Sequence, residues 1–101
     1  MRLASLSKPS WWLVAGLLFL GACESAPPVQ EMSDARQAIE VAKEAGAESR
    51  ARIQLDQALE FLAEAERELT AAEYTRARRS AVQAKAKALE ARALSEASQP
   101  Q

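Results

Sequence analysis

The chain contains no histidine. Familiar zinc sites, serine–histidine and cysteine–histidine catalysis are therefore not expected. It has one cysteine, Cys23, so no disulfide can form within it. Its three glycines are Gly16, Gly21 and Gly46, which leaves no Gly-rich phosphate loop, and no G-x-S-x-G nucleophile motif occurs. Both tryptophans lie at Trp11 and Trp12, so beyond residue 22 the aromatics are Phe61 and Tyr74 alone. Proline is absent between Met32 and Ser98. Net charge is −1, which gives no global case for nucleic-acid binding. No enzymatic function, no catalytic residue, no metal site and no cofactor is expected.

What is present begins with a leader. Arg2 and Lys8 are followed by the apolar run "WWLVAGLLFL" from Trp11 to Leu20, and then by small residues before Cys23. This is the layout of a secretory signal over residues 1–22. A run of ten residues is short for a membrane span, which needs roughly 20. Without Arg2 and Lys8, 11 of the 13 basic side chains face all 14 acidic ones. Residues 23–31, with "ESAPPVQ" and the pair Pro27–Pro28, read as a semi-rigid tether.

From residue 32 to 98 the chain is dense in Ala, Leu, Glu, Arg and Lys, the strong helix formers, with no alternating β pattern. An all-α body is predicted, and 99–101 form a disordered tail. The first helix is expected to start near Ser33, with Asp34 in its first turn, and to stop at Gly46. Its apolar face is Ala35, Ala38, Ile39 and Ala42. The second carries Leu55, Ala58, Leu59, Leu62, Ala65 and Leu69. The third carries Tyr74, Ala77, Ala81, Ala84, Ala88 and Ala91 in a heptad rhythm.

Two architectures compete for the last two helices. One is a single coiled-coil rod, since no Gly or Pro interrupts them. The other is a tight antiparallel hairpin. Continuing Leu55, Leu62 and Leu69 by sevens lands on Arg76, so the stripe loses phase. "LTAAEY" also reads as a capping box, Thr70 with Glu73, inside a staple of Leu69 and Tyr74. The hairpin is the favoured prediction. An alanine-faced body buries little apolar area, so self-association or an envelope partner protein is expected to cover an alanine face.

The charges divide between helices. The second is acidic and the third basic, and they are expected to complement each other along the hairpin. Glu60, Glu64 and Glu68 read as a solvated ridge rather than a metal face. Arg78, Lys85 and Arg92 fall seven apart in one stripe beside the alanines, a candidate surface for an acidic partner or polyanion.

"LGAC" (Leu20, Gly21, Ala22, Cys23) resembles the lipobox of bacterial lipoproteins. The resemblance implies that a peptidase recognises Leu20–Ala22 and cuts before Cys23. Cys23 then carries diacylglycerol on its thiol and an acyl group such as palmitate on its new amino terminus, and the membrane is the partner. Glu24 differs from the aspartate that retains such proteins at the inner membrane, which implies the periplasmic face of the outer membrane. "PPVQEMSDARQAI" and "AEYTRARRSAVQAKA" resemble small alanine-rich envelope lipoproteins of a domain family of unknown function, over nearly the whole mature chain. Some relatives carry an OmpA-like domain that grips peptidoglycan. Here "SEASQPQ" follows the helices, so cell-wall binding is not carried over. "AEYTRARRSA" also resembles the first helix of a tetratricopeptide repeat, without a full repeat of about 34 residues. The expected function is a non-enzymatic interaction or scaffold lipoprotein of the Gram-negative envelope. The alternative is a spacer similar to the major murein lipoprotein, held to the wall non-covalently because Gln101 stands where that protein has a lysine.

Overall fold

A computed structural model describes residues 26–100. Cys23, the residues Leu20–Ala22 before it, and the leader lie outside the described residues. The elements are α1 (Val29–Glu44), α2 (Ala47–Arg50), α3 (Arg52–Thr70) and α4 (Tyr74–Ala97). No strand occurs among the described residues. The all-α expectation holds, and so does the hairpin: α3 and α4 pack closely together instead of forming one rod.

α1 starts earlier than Ser33. Pro28 occupies the N-cap position with φ −81°, and the Met32 N–H donates to the Pro28 carbonyl at 3.0 Å. Proline suits this place because its φ is already close to helical and its missing N–H would have had no partner. Glu31 lies in the first turn, where the helix dipole favours an anion. Burial reinforces the early start, since Pro28 and Met32 are both buried. Residues 29–31, assigned to the tether by composition, are therefore helical and belong to the body.

α1 stops where glycine allows it. Gly46 has φ +95°, and its N–H donates to the Lys43 carbonyl at 2.9 Å. The single turn α2 follows, an element that periodicity did not separate from α3. Ala51, at φ −143° and ψ 47°, breaks the path between the two. Ala47 and Ala51 are buried in this connector, so the crossing from α1 to α3 contributes to the core.

The hairpin turn uses a different device from the one anticipated. Thr70 does not cap α4; it is the last residue of α3, and its hydroxyl donates back to the Glu66 carbonyl at 3.0 Å. Glu73 takes the N-cap position of α4 without a side-chain cap bond. Its carboxylate instead pairs with Arg76 at 3.7 Å. The reversal is made by the backbone. Ala72 adopts φ +59°, the Glu73 N–H donates to the Glu68 carbonyl at 2.8 Å, and the Ala72 N–H donates to the Leu69 carbonyl at 3.0 Å. This pair of bonds is a Schellman closure with alanine at the left-handed position usually held by glycine.

The helices run up, down and up. Contacts from Glu31 to Arg78, Asp34 to Lys85 and Ala45 to Gln99 set α1 parallel to α4. α3 runs antiparallel to both, with Glu68 near Ser80 and Glu66 near Arg36. The core lies along α4, where Ala77, Ala81, Ala84, Ala88 and Ala91 all show 0% exposure. Ser80 and Ser95 complete this face, and the Ser95 hydroxyl is satisfied by the Ala91 carbonyl at 2.8 Å. The larger buried side chains, Met32, Ile39 and Leu55, come from α1 and α3. Leu62 packs against both apolar clusters and joins them.

Two substitutions probe these features. Ala72→Gly is expected to raise unfolding free energy by about 0.5–1 kcal/mol in urea titration, because the left-handed conformation costs alanine about 1–2 kcal/mol and glycine much less, offset by glycine's greater chain entropy. Ala84→Leu is expected to cost about 1–3 kcal/mol by overpacking the helix crossing. A neutral Ala84→Leu variant would show that the seam has room to spare.

Candidate functional site

α4 presents its cations on the flank beside its alanine seam because Arg78, Lys85 and Arg92 recur every seven residues. That flank faces α1. Arg78 Nε lies 3.2 Å from Glu31 Oε1, and Arg78 Nη2 donates to the Ala26 carbonyl at 3.1 Å. Lys85 Nζ lies 3.9 Å from Asp34 Oδ2. Arg92 Nε pairs with Glu96 at 2.8 Å within α4 itself. Each cation of the stripe thus has an acidic neighbour, and two of the three neighbours belong to α1. Arg78 and Lys85 direct charge into the fold toward α1, and Arg92 pairs within α4.

This changes the expected electrostatic layout. The cross-helix ion pairs among the described residues join α1 to its neighbours: Glu31–Arg78, Asp34–Lys85 and Arg36–Glu66. No ion pair joins α3 to α4 among the described residues; there the polar link is the Ser80 hydroxyl donating to the Glu68 carboxylate. Glu68 is therefore tied to α4, while Glu60 and Glu64 remain exposed. The missed partners, Glu31 and Asp34, left a signal in their three-residue spacing on one flank of α1. That signal becomes meaningful only once α1 is known to run parallel to α4.

The pairs differ in weight. Glu31 and the Arg78 side chain are each about one-third exposed, at 32% and 33%. Arg78 also bonds a backbone carbonyl, so one guanidinium fork joins the entering chain, α1 and α4. Lys85–Asp34 is longer and more open, and exposed pairs of this kind contribute about 0–1 kcal/mol.

Above the paired charges runs a shallow, open groove between α1 and α4. Ala38, Val41 and Leu89 supply its apolar part, and Asp34, Lys85 and Arg92 its polar part. Val82 and Leu89, seven apart on α4, are 53% and 46% exposed. The groove could accept an apolar side chain flanked by polar contacts. It has no chemistry-bearing cluster: among the described residues no group of three acidic, cysteine or histidine side chains could hold a metal ion. No buried side-chain polar atom among them lacks a partner. No described helix is long and apolar enough to cross a membrane.

Charge reversal at two stripe positions should separate the clamp from the surface. Arg78→Glu is expected to lower stability by about 1–2 kcal/mol and to speed amide exchange in the first turns of α1, because it removes hydrogen bonds to a carboxylate and a carbonyl and opposes Glu31. Arg92→Glu disturbs only an exposed pair within one helix and is expected to stay within about 0.5 kcal/mol. Equal losses in denaturant titration would contradict this assignment. In comparisons with known proteins, the chain matches no protein-family model, no curated protein and no solved structure.

Proposed function

We propose that this chain is a lipid-anchored, non-enzymatic interaction or scaffold protein of the Gram-negative cell envelope. Cys23 bears the diacylglycerol and acyl groups, and the helical body faces the periplasm from the outer membrane. The observation that carries the proposal is the coincidence of Arg2 and Lys8, the ten-residue apolar run and "LGAC" immediately before the only cysteine. Two or three acyl chains suffice physically, since each buried CH₂ contributes about 0.8 kcal/mol and a single chain anchors only weakly.

What supports an interaction role is the kind of surface the body offers. It has an open groove between α1 and α4, lined in part by exposed Leu89, and Val82 on α4 and Ile53 on α3 are exposed outside that lining. The fold buries mostly alanine, so a partner or second copy that covers these side chains would add apolar burial the monomer lacks. The murein-lipoprotein-like spacer has less support, because α3 and α4 fold back on each other and halve the length a rod would reach.

Cys23→Ser is the direct test. Labelled palmitate should no longer be incorporated, and the leader should remain attached, so that unprocessed precursor accumulates in place of the mature chain. Continued maturation and membrane partition of the variant would overturn the proposal. Cross-linking from Leu89 in intact cells would then identify what the groove meets.

A further inference from the structure

The attachment point and the body are separated by very little chain. The Ala26 carbonyl accepts a hydrogen bond from Arg78, and Pro28 is buried. The chain is thus held to the body three residues after Cys23, and three residues span at most about 11 Å. The site of that hold is also defined. Arg78 lies in the second turn of α4, and α1 starts beside it at Val29. Because α1 is parallel to α4 and α3 antiparallel, the Ala71–Glu73 turn and the last turn of α3 share this end of the bundle. Gly46, α2 and the end of α4 share the opposite end, where the Gln99 side chain donates to the Ala45 carbonyl at 3.3 Å. α4 has 24 residues, which places the two ends about 36 Å apart.

The near end has chemistry suited to a phospholipid surface. Val29 is 72% exposed, Ala71 and Ala72 are exposed, and Tyr74 is half-buried. Around them stand the exposed cations Arg67, Arg76 and Arg79. Among the described residues, four acidic side chains close to the turn have protein partners: Glu31 with Arg78, Glu66 with Arg36, Glu68 with Ser80 and Glu73 with Arg76. Arg67 and Arg79 take part in no ion pair among the described residues. Arginine forks match phosphate oxygens, and small apolar and aromatic groups beside them suit the headgroup boundary.

We infer that the Ala71–Glu73 end of the bundle docks on anionic phospholipid headgroups, so that the body stands on the membrane with Gly46 and α2 pointing away. This rests on lipid attachment at Cys23, because only a short anchored chain holds this end to the surface. The arrangement keeps the α1–α4 groove clear of the headgroups. Leu89, 15 residues along α4 from Tyr74, stands about 22 Å above the docked end.

The test uses the full chain, matured with its own leader and reconstituted into vesicles of phosphatidylethanolamine and phosphatidylglycerol. With the Cys23 thiol lipidated, a fluorophore is placed at Ala71→Cys or at Glu48→Cys, and quenching by a headgroup-attached nitroxide is read for each. The near-end label is expected to be quenched at least fivefold more than the Glu48→Cys label. Equal quenching, or stronger quenching at Glu48→Cys, would overturn the standing orientation. Combining Arg67→Glu with Arg79→Glu is expected to lower near-end quenching at least twofold while flotation persists. Unchanged quenching in that variant would overturn headgroup docking through these arginines. Mass spectrometry of the anchor and vesicle flotation report lipid attachment separately. A chain without lipid overturns both the anchor and the orientation, whereas a lipidated, floating chain with equal quenching overturns the orientation alone.

Discussion

Close approach along the α4 seam governs the rest of the structure. Five alanines and two serines form its buried face, and none carries more than a short side chain. The neighbouring helices can therefore lie near the short end of the usual interaxial range, about 8 Å. At that separation, Met32, Ile39, Leu55 and Leu62 are enough to fill the space between helices. A larger residue anywhere on the seam would separate the helices and open gaps along the whole line of contact. Alanine is also the best helix former, so the residue that makes α4 persist for 24 positions is also the one that lets it pack.

Such a seam specifies distance better than it specifies alignment. Alanines repeated at heptad spacing present similar surfaces at several registers, so other interactions must choose among them. Polar contacts between the helices supply that choice. Arg78 holds both Glu31 and the Ala26 carbonyl, Arg36 reaches Glu66, and Ser80 bonds Glu68. Each is modest in energy, but a shift by one turn, about 5.4 Å, would break all of them together. The basic stripe therefore acts first on the alignment of α1 with α4. Lys85 and Arg92 remain exposed in part beside Val41 and Leu89.

The connections divide the work in an instructive way. Gly46 ends α1 with the left-handed conformation glycine adopts without strain, and a glycine in a helical run is a visible signal. Ala72 does the same at the end of α3 without any such signal. Composition predicts that "LTAAEY" continues the helix, and the capping-box motif predicts a new start at Thr70. The turn occurs, but through backbone bonds of Glu73 and Ala72 that no side chain encodes. The strain at Ala72 is tolerated because reversing the chain there lets the alanine seam and the Leu55–Leu69 stripe meet.

Local chemistry in the sequence determined the helical class, the apolar faces of α1, α3 and α4, the stop at Gly46 and the stripe of Arg78, Lys85 and Arg92. These follow from propensity and periodicity, which act within a few turns of chain. Tertiary structure decided the entry of Pro28 and Val29 into α1, the separate turn α2, the backbone closure at Ala72 and the pairing of the stripe with Glu31 and Asp34. All four depend on contacts between residues far apart in the chain. Burial of Pro28 and Met32 rewards an early helix start, and only the parallel run of α1 beside α4 brings Glu31 within 3.2 Å of Arg78. A one-dimensional pattern states which face a residue occupies, but the neighbour on that face is chosen when the helices dock.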